Sequence, residues 1–217
     1  MNITAIEPQQ KNPQRVNVYL NGVFAFGLAR IVATWLQVGQ ELSDEKIANL
    51  KAEDEREAVY QKALHFISYR PRSSMEVRQN LTKRGVSETL TAETVNRLQQ
   101  NGLLNDEAFA RAWTENRNEF RPRSKSALRM ELRQKGLSEE IIQTVLEEQV
   151  DEEALALAAA RKYGRRLEGL EWTEFRKKLG GFLARRGFSY ATLAPVVSEV
   201  WKESQMADTG SISDNEE

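Results

Sequence analysis

The sequence predicts a mainly α protein: a tandem array of three three-helix, helix-turn-helix-like repeats with a small N-terminal β-hairpin element. Three observations carry this. An Arg-Pro-Arg-Ser segment occurs at Arg70–Ser73 and again at Arg121–Ser124, 51 residues on, with matching residues after it. From about residue 54 apolar residues recur at helical spacing, as in Val59, Ala63, Phe66 and Ile67. Near the N-terminus, Asn21-Gly22 separates two β-prone runs. That dipeptide is the strongest short hairpin signal, because both turn positions need positive φ.

In chain order, residues 1–53 come first. Arg15–Leu20 alternates apolar and polar residues, and Val23–Leu28 follows the Asn-Gly turn. Ile3–Ile6 reads as a third strand before a Pro8–Pro13 loop, and such a sheet must pack on something to be stable. Ala29–Gln37 and Ser43–Leu50 read as short helices, the second capped by Ser43 with Asp44 and Glu45 in its first turn. This region carries no recognisable chemistry and reads as structural or interaction-mediating.

Three repeats follow, at 54–104, 105–153 and 154–204, and then a polar, acidic tail at 205–217 that reads as disordered. Each repeat decodes as helix, helix, Gly turn, helix. Arg-Pro breaks the first helix, since proline lacks the N–H and restricts its predecessor. Ser73 and Ser124 cap the second helix, and Ser73 with Glu76 forms a capping box. Gly85, Gly136 and Gly187 stand where a left-handed residue ends that helix. Ser87, Ser138 and Ser189 cap the third. Gly102 ends the third helix of the first copy, and Asn105-Asp106-Glu107 starts the next. The third copy matches at Leu179, Leu183, Arg186, Gly187 and Ser189, but shows Trp172-Thr-Glu-Phe where the others open with Arg-Pro-Arg-Ser. Units this small have thin cores, so the copies should stabilise one another as an elongated array. Trp113, Trp172, Phe175 and Trp201 read as core plugs rather than base-stacking platforms.

Composition excludes several function classes. Hydrophobic residues at 40% and charged residues at 29% give a globular balance. No apolar run approaches the roughly 18 residues of a membrane span, and no secretory signal is visible, so a cytoplasmic protein with no membrane contact is expected. With no Cys and a single His, His65, thiol catalysis, Cys-ligated metals and multi-His metal sites are excluded, and no metal or cofactor is expected. No dinucleotide fingerprint, phosphate-binding loop or nucleophile elbow occurs. His65 reads as a half-buried structural residue, and Glu152-Glu153 as a solvated face. No catalytic residue is assigned.

The net charge of −1 conceals opposed blocks. Residues 60–137 carry +7, residues 138–160 carry −7 and residues 161–187 carry +6. Basic blocks of this kind attract polyanions or an acidic protein face; the plainer reading is that they solvate helices. Lys125, Arg129 and Arg133 share one face of a helix at i, i+4 and i+8, opposite Leu128 and Leu132, and Lys135 extends that surface. Arg78, Lys83 and Arg84 partly reproduce it in the first copy, as do Arg176, Lys177, Arg185 and Arg186 in the third. Guanidinium groups suit both phosphates and carboxylates, so these eleven residues are the candidate partner- or phosphate-binding surface. Arg70, Arg72, Arg121 and Arg123 read instead as structural, capping carbonyls or pairing with Glu76 and Glu131.

The order of these motifs resembles the RecX family of bacterial regulators of the RecA recombinase. The residues concerned are Arg70–Ser73 with Lys83-Arg84-Gly85, then Gly102–Trp113, then Arg121–Ser124 with Glu131–Gly136. The resemblance covers about residues 54–202, and the N-terminal hairpin resembles the extension of longer members. It implies tandem three-helix repeats and a non-enzymatic protein, acting in DNA recombination, DNA repair and the SOS response. Such a protein binds the RecA–DNA filament and modulates, usually inhibits, its recombinase, ATPase and co-protease activities. The expected partners are the RecA filament and, through phosphates, single- or double-stranded DNA, bound by a monomer. The alternative is a helix-turn-helix DNA-binding protein such as a transcription factor, which predicts sequence-specific duplex binding; a structural scaffold predicts that reversing the basic charges changes nothing.

Overall fold

Three antiparallel strands open the chain: β1 (Ile3–Gln9), β2 (Asn12–Leu20) and β3 (Val23–Ala29), in the order β1-β2-β3. Asn21 and Gly22 turn between β2 and β3 with φ of 50° and 81°. Alternate residues Val16, Val18 and Leu20 of the central strand are buried, with Phe26 and Leu28 of its neighbour. The expected Pro8–Pro13 loop is instead the end of β1, a two-residue turn and the start of β2. The prolines are tolerated because β1 is an edge strand and Pro13 precedes Arg15, where pairing with β3 begins.

The computed structural model describes residues 1–210 and divides the chain into two compact units, Met1–Leu104 and a second from Asn105 onward. In the first unit, residues 30–35 form successive turns rather than the expected Ala29–Gln37 helix. The β-branched Ile31, Val32 and Thr34 favour helix weakly, and the Thr34 hydroxyl donates to the Arg30 and Ile31 carbonyls in competition with the backbone. The helix expected at Ser43–Leu50 is much longer: α1 runs Asp44–Ser68, capped by the Ser43 hydroxyl. No Gly or Pro interrupts residues 44–68. The expected division at residues 53 and 54 therefore falls inside one helix. Asp54 accepts hydrogen bonds from the Ala29 N–H and Arg15, tying α1 to the sheet. Further along, buried Glu57 pairs with Arg97 at 2.8 Å, tying α1 to the last helix of the first repeat.

That repeat is completed by α2 (Ser74–Lys83) and α3 (Glu88–Gln100). Ser73 and Glu76 form both halves of the capping box, and Gly85 closes the turn with φ of 78°. Val77, Leu81, Val95 and Leu98 are fully buried between the helices and α1. Each such side chain contributes roughly 1.5–3 kcal/mol relative to exposure, which far exceeds the few tenths that propensity supplies per residue.

The second unit contains α4 (Asp106–Phe120), α5 (Lys125–Gln134), α6 (Glu139–Gln149), α7 (Glu152–Gly164), α8 (Trp172–Ala184) and α9 (Tyr190–Gly210), with a single 3₁₀ turn at Arg165–Leu167. Asn105, Ser124 and Ser138 cap α4, α5 and α6 through their side chains. Ser189 accepts from the Thr192 N–H at the start of α9. α8 follows Glu171, which makes no side-chain cap, and starts one turn earlier than the repeat offset gives, so that the place of the serine in the other two copies is taken by Phe175, buried within the helix. Leu128, Leu132, Ile142 and Val145 fill the core of the second copy, and Phe175, Leu179 and Leu183 that of the third. Trp172 and Phe175 pack against Trp201, while Trp113 lies over Phe109 beside the second core. α9 takes in residues 205–210 of the expected tail; residues 211–217 lie outside the described residues.

Candidate partner-binding surface

The basic stripe of α5 follows from its helical phase. Leu128 and Leu132 point into the core, so Lys125, Arg129 and Arg133 share the outward face. They are not all free. The Gly136 turn places Glu139, in the first turn of α6, against both arginines: Arg133 donates to it at 2.8 Å, and Arg129 Nε approaches its other oxygen at 3.0 Å. The Arg133 hydrogen bond, with both positive charges, holds the Glu139 carboxyl below the usual carboxylate range. Lys135 extends over the Trp113 ring at 4.9 Å from its centroid. The Lys125 N–H donates to Glu152, and among the described residues no carboxylate pairs with its ammonium.

The other two copies differ. Arg78, Lys83 and Arg84 on α2 and at its C-terminus are exposed, and no described carboxylate pairs with them. In the third copy Arg176 donates to the Tyr190 hydroxyl at 3.4 Å, and Lys177 and Arg185 are exposed without a described carboxylate pair. Arg186 is different in kind. It lies over the Phe182 ring and donates to the Pro122 carbonyl at 3.0 Å. Burial, then the nearby Arg123 and Arg121, lower its pKa. Its own carbonyl accepts from the Ser124 N–H. Arg186 thus docks the third copy on the second, and its role is structural.

The arginines flanking the two prolines are also largely structural. Arg70 pairs with Glu76 at 2.9 Å and Arg123 with Glu131 at 3.0 Å, while Arg72 covers Phe66. Glu131 also accepts from Arg117 and from the Trp113 indole N–H. His65 is exposed at the end of α1 rather than half-buried; its Nε2 and the Tyr69 hydroxyl share a hydrogen bond of 2.9 Å.

One feature escaped the sequence reading. Between α8 and α9 lies an open cleft of about 550 Å³, lined by Trp172, Gly180, Gly181, Leu193 and Val197, with Arg176, Lys177 and Tyr190 at its rim. The available signal was the Gly-Gly pair inside a helical pattern.

Among the described residues no cluster of His, Asp or Glu has the geometry to hold a metal ion, and no helix is long and apolar enough to cross a membrane. Reading of duplex sequence is poorly served: α6 carries four glutamates and no basic residue, and α3 has only Arg97, which is paired with Glu57. A recognition helix entering a groove lined by phosphates needs the opposite charge.

Comparison with known proteins agrees with this architecture. Family models match in chain order: the regulatory protein RecX N-terminal domain at residues 1–43, and the first, second and third three-helix domains of RecX at 60–98, 105–146 and 151–193. The regulatory protein RecX of Bacillus subtilis is 31% identical over 205 residues, covering 91% of this chain and 76% of that protein. That of Halalkalibacterium halodurans is 32% identical over 214 residues, covering 93% and 77%. A crystal structure of regulatory protein RecX superposes with a TM-score of 0.74 at 26% identity, covering 90% of this chain and 98% of that one. The chain belongs to the RecX family of regulatory proteins.

Proposed function

We propose that this protein is a non-enzymatic, monomeric, cytoplasmic regulator that binds the RecA–DNA filament and inhibits its recombinase, ATPase and co-protease activities. The observation that carries the reading is a set of cations that the fold does not use. Arg78, Lys83 and Arg84 in the first unit, and Lys177 and Arg185 in the second, are exposed without carboxylate partners among the described residues. Membership of a family of regulatory proteins is consistent with such a target, and a RecA–DNA filament would offer those cations both DNA phosphates and protein carboxylates. Any contact with DNA is through the backbone, so it is indifferent to sequence and falls steeply with salt.

The test is RecA ATP hydrolysis on single-stranded DNA with the protein titrated in. Wild type is expected to slow hydrolysis at sub-stoichiometric to equimolar ratios. The triple variant Arg78→Ala, Lys83→Ala, Arg84→Ala should need at least about tenfold more protein for the same effect, since each lost contact is worth about 0.5 kcal/mol or more, while its helix content is unchanged. An equally potent triple variant would refute the use of these cations.

A further inference from the structure

We infer that the cleft between α8 and α9 is the docking site for an acidic amphipathic helix of a protein partner, and not for a nucleic-acid strand. The inference rests on the proposed function and assigns one of its contacts to protein. The cleft of about 550 Å³ has an apolar floor, Trp172, Leu193, Ala194 and Val197, and a basic rim, Arg176 and Lys177. Its middle is formed by Gly180 and Gly181, well inside α8.

Nothing among the described residues sterically requires those glycines. Glycine in a helix interior is the least favourable residue apart from proline. A Cβ on Gly180 would meet only Leu193 Cδ1, at an ordinary 3.9 Å, and one on Gly181 only the flexible end of Arg185 at 3.3 Å. By contrast Gly164 and Gly187 face Val200 and Ser124 too closely to carry a side chain. What an internal Gly-Gly supplies is close approach of another chain.

The chemistry of the floor selects the occupant. The N–H groups of a helix interior are already bonded within the helix, so a phosphate lying over Gly180 finds no donor there. A second helix needs no donor, and packs closest over small residues. An apolar floor bordered by cations on one side matches an amphipathic helix with carboxylates along one edge. Stacking on bases needs a run of open aromatic faces, whereas Trp172 is packed on Trp201, which leaves Tyr190, exposed at the rim, as the single open ring among the lining residues.

The experiment compares binding to RecA polymerised on poly(dT) with binding to bare poly(dT), by anisotropy of the labelled full-length protein. Gly180→Leu fills the cleft while improving the helix; its melting temperature should rise by about 2–4 °C. Its affinity for the filament should fall at least tenfold, with affinity for bare poly(dT) retained. Arg176→Glu with Lys177→Glu should also lose filament affinity and provides a second route if Gly180→Leu does not fold. Filament binding by both variants at the wild-type level would overturn the cleft while leaving the proposed function standing. A parallel loss of poly(dT) binding would overturn the protein occupant in favour of nucleic acid. Failure of the wild type to bind the filament would overturn both readings.

Discussion

The second and third copies of the repeat use their middle helices in opposite ways. α5 begins at a serine whose hydroxyl caps the helix, and whose backbone receives the Arg186 turn of the third copy. Its two central arginines are bound to Glu139. α8 has no side-chain cap, a glycine pair in its C-terminal half, and a basic face bordering an open cleft. Their cores are otherwise equivalent: Leu128 and Leu132 in one, Leu179 and Leu183 in the other, all fully buried. On α5 the arginines Arg129 and Arg133 are paired with Glu139, while on α8 Lys177 and Arg185 are exposed without a described carboxylate pair.

Equal cores predict equal costs. Leu132→Ala and Leu183→Ala should each lower stability by about 3–4 kcal/mol in urea unfolding, and a large inequality would show that one copy is loosely packed. Gly187→Ala should cost about 2–3 kcal/mol. The residue has φ of 89°, and a Cβ there would meet Ser124 Oγ at 2.6 Å. The capping difference is smaller and has opposite signs in the two copies: Ser124→Ala should cost about 1 kcal/mol, and Glu171→Ser should gain about 0.5 kcal/mol by supplying the missing cap. Smallest of all is the pairing of Glu139. Its folded pKa is depressed, so its contribution is present above the ordinary carboxylate range and is lost as pH falls through the lower folded value. In an NMR titration, Arg133→Gln should move the Glu139 carboxyl back toward its usual value. Glu139→Gln should leave the melting temperature unresolved from wild type, because the group is exposed.

Much of the helical fold was legible because its signals are local. The Ser73 capping box, the caps at Ser87, Ser124 and Ser138, and the left-handed Gly85, Gly136 and Gly187 are each decided by side chain and backbone within a few residues. The stretch at 29–37 has a composition that tolerates helix, while in the fold it makes successive turns in which the Thr34 hydroxyl donates to the Arg30 and Ile31 carbonyls. The candidate surface was only half legible. The phase of Lys125, Arg129 and Arg133 follows from 3.6 residues per turn, but Glu139 meets two of them only once the Gly136 turn has folded α6 back. Arg186 looked like one more surface cation, and becomes a docking group only through a carbonyl 64 residues away. The cleft depends on how α8 and α9 cross, which no local pattern records.

Cations unused by the fold are proposed to act on the filament. This is tested most directly by titrating wild type and the Arg78, Lys83, Arg84 triple-alanine variant, side by side, into RecA hydrolysing ATP on single-stranded DNA. Wild type is expected to slow hydrolysis, and the equally helical variant to need at least about tenfold more protein to do so. A triple variant as potent as wild type would refute the role of these cations, and unchanged hydrolysis with wild type, together with no co-sedimentation on the filament, would refute action on the filament altogether.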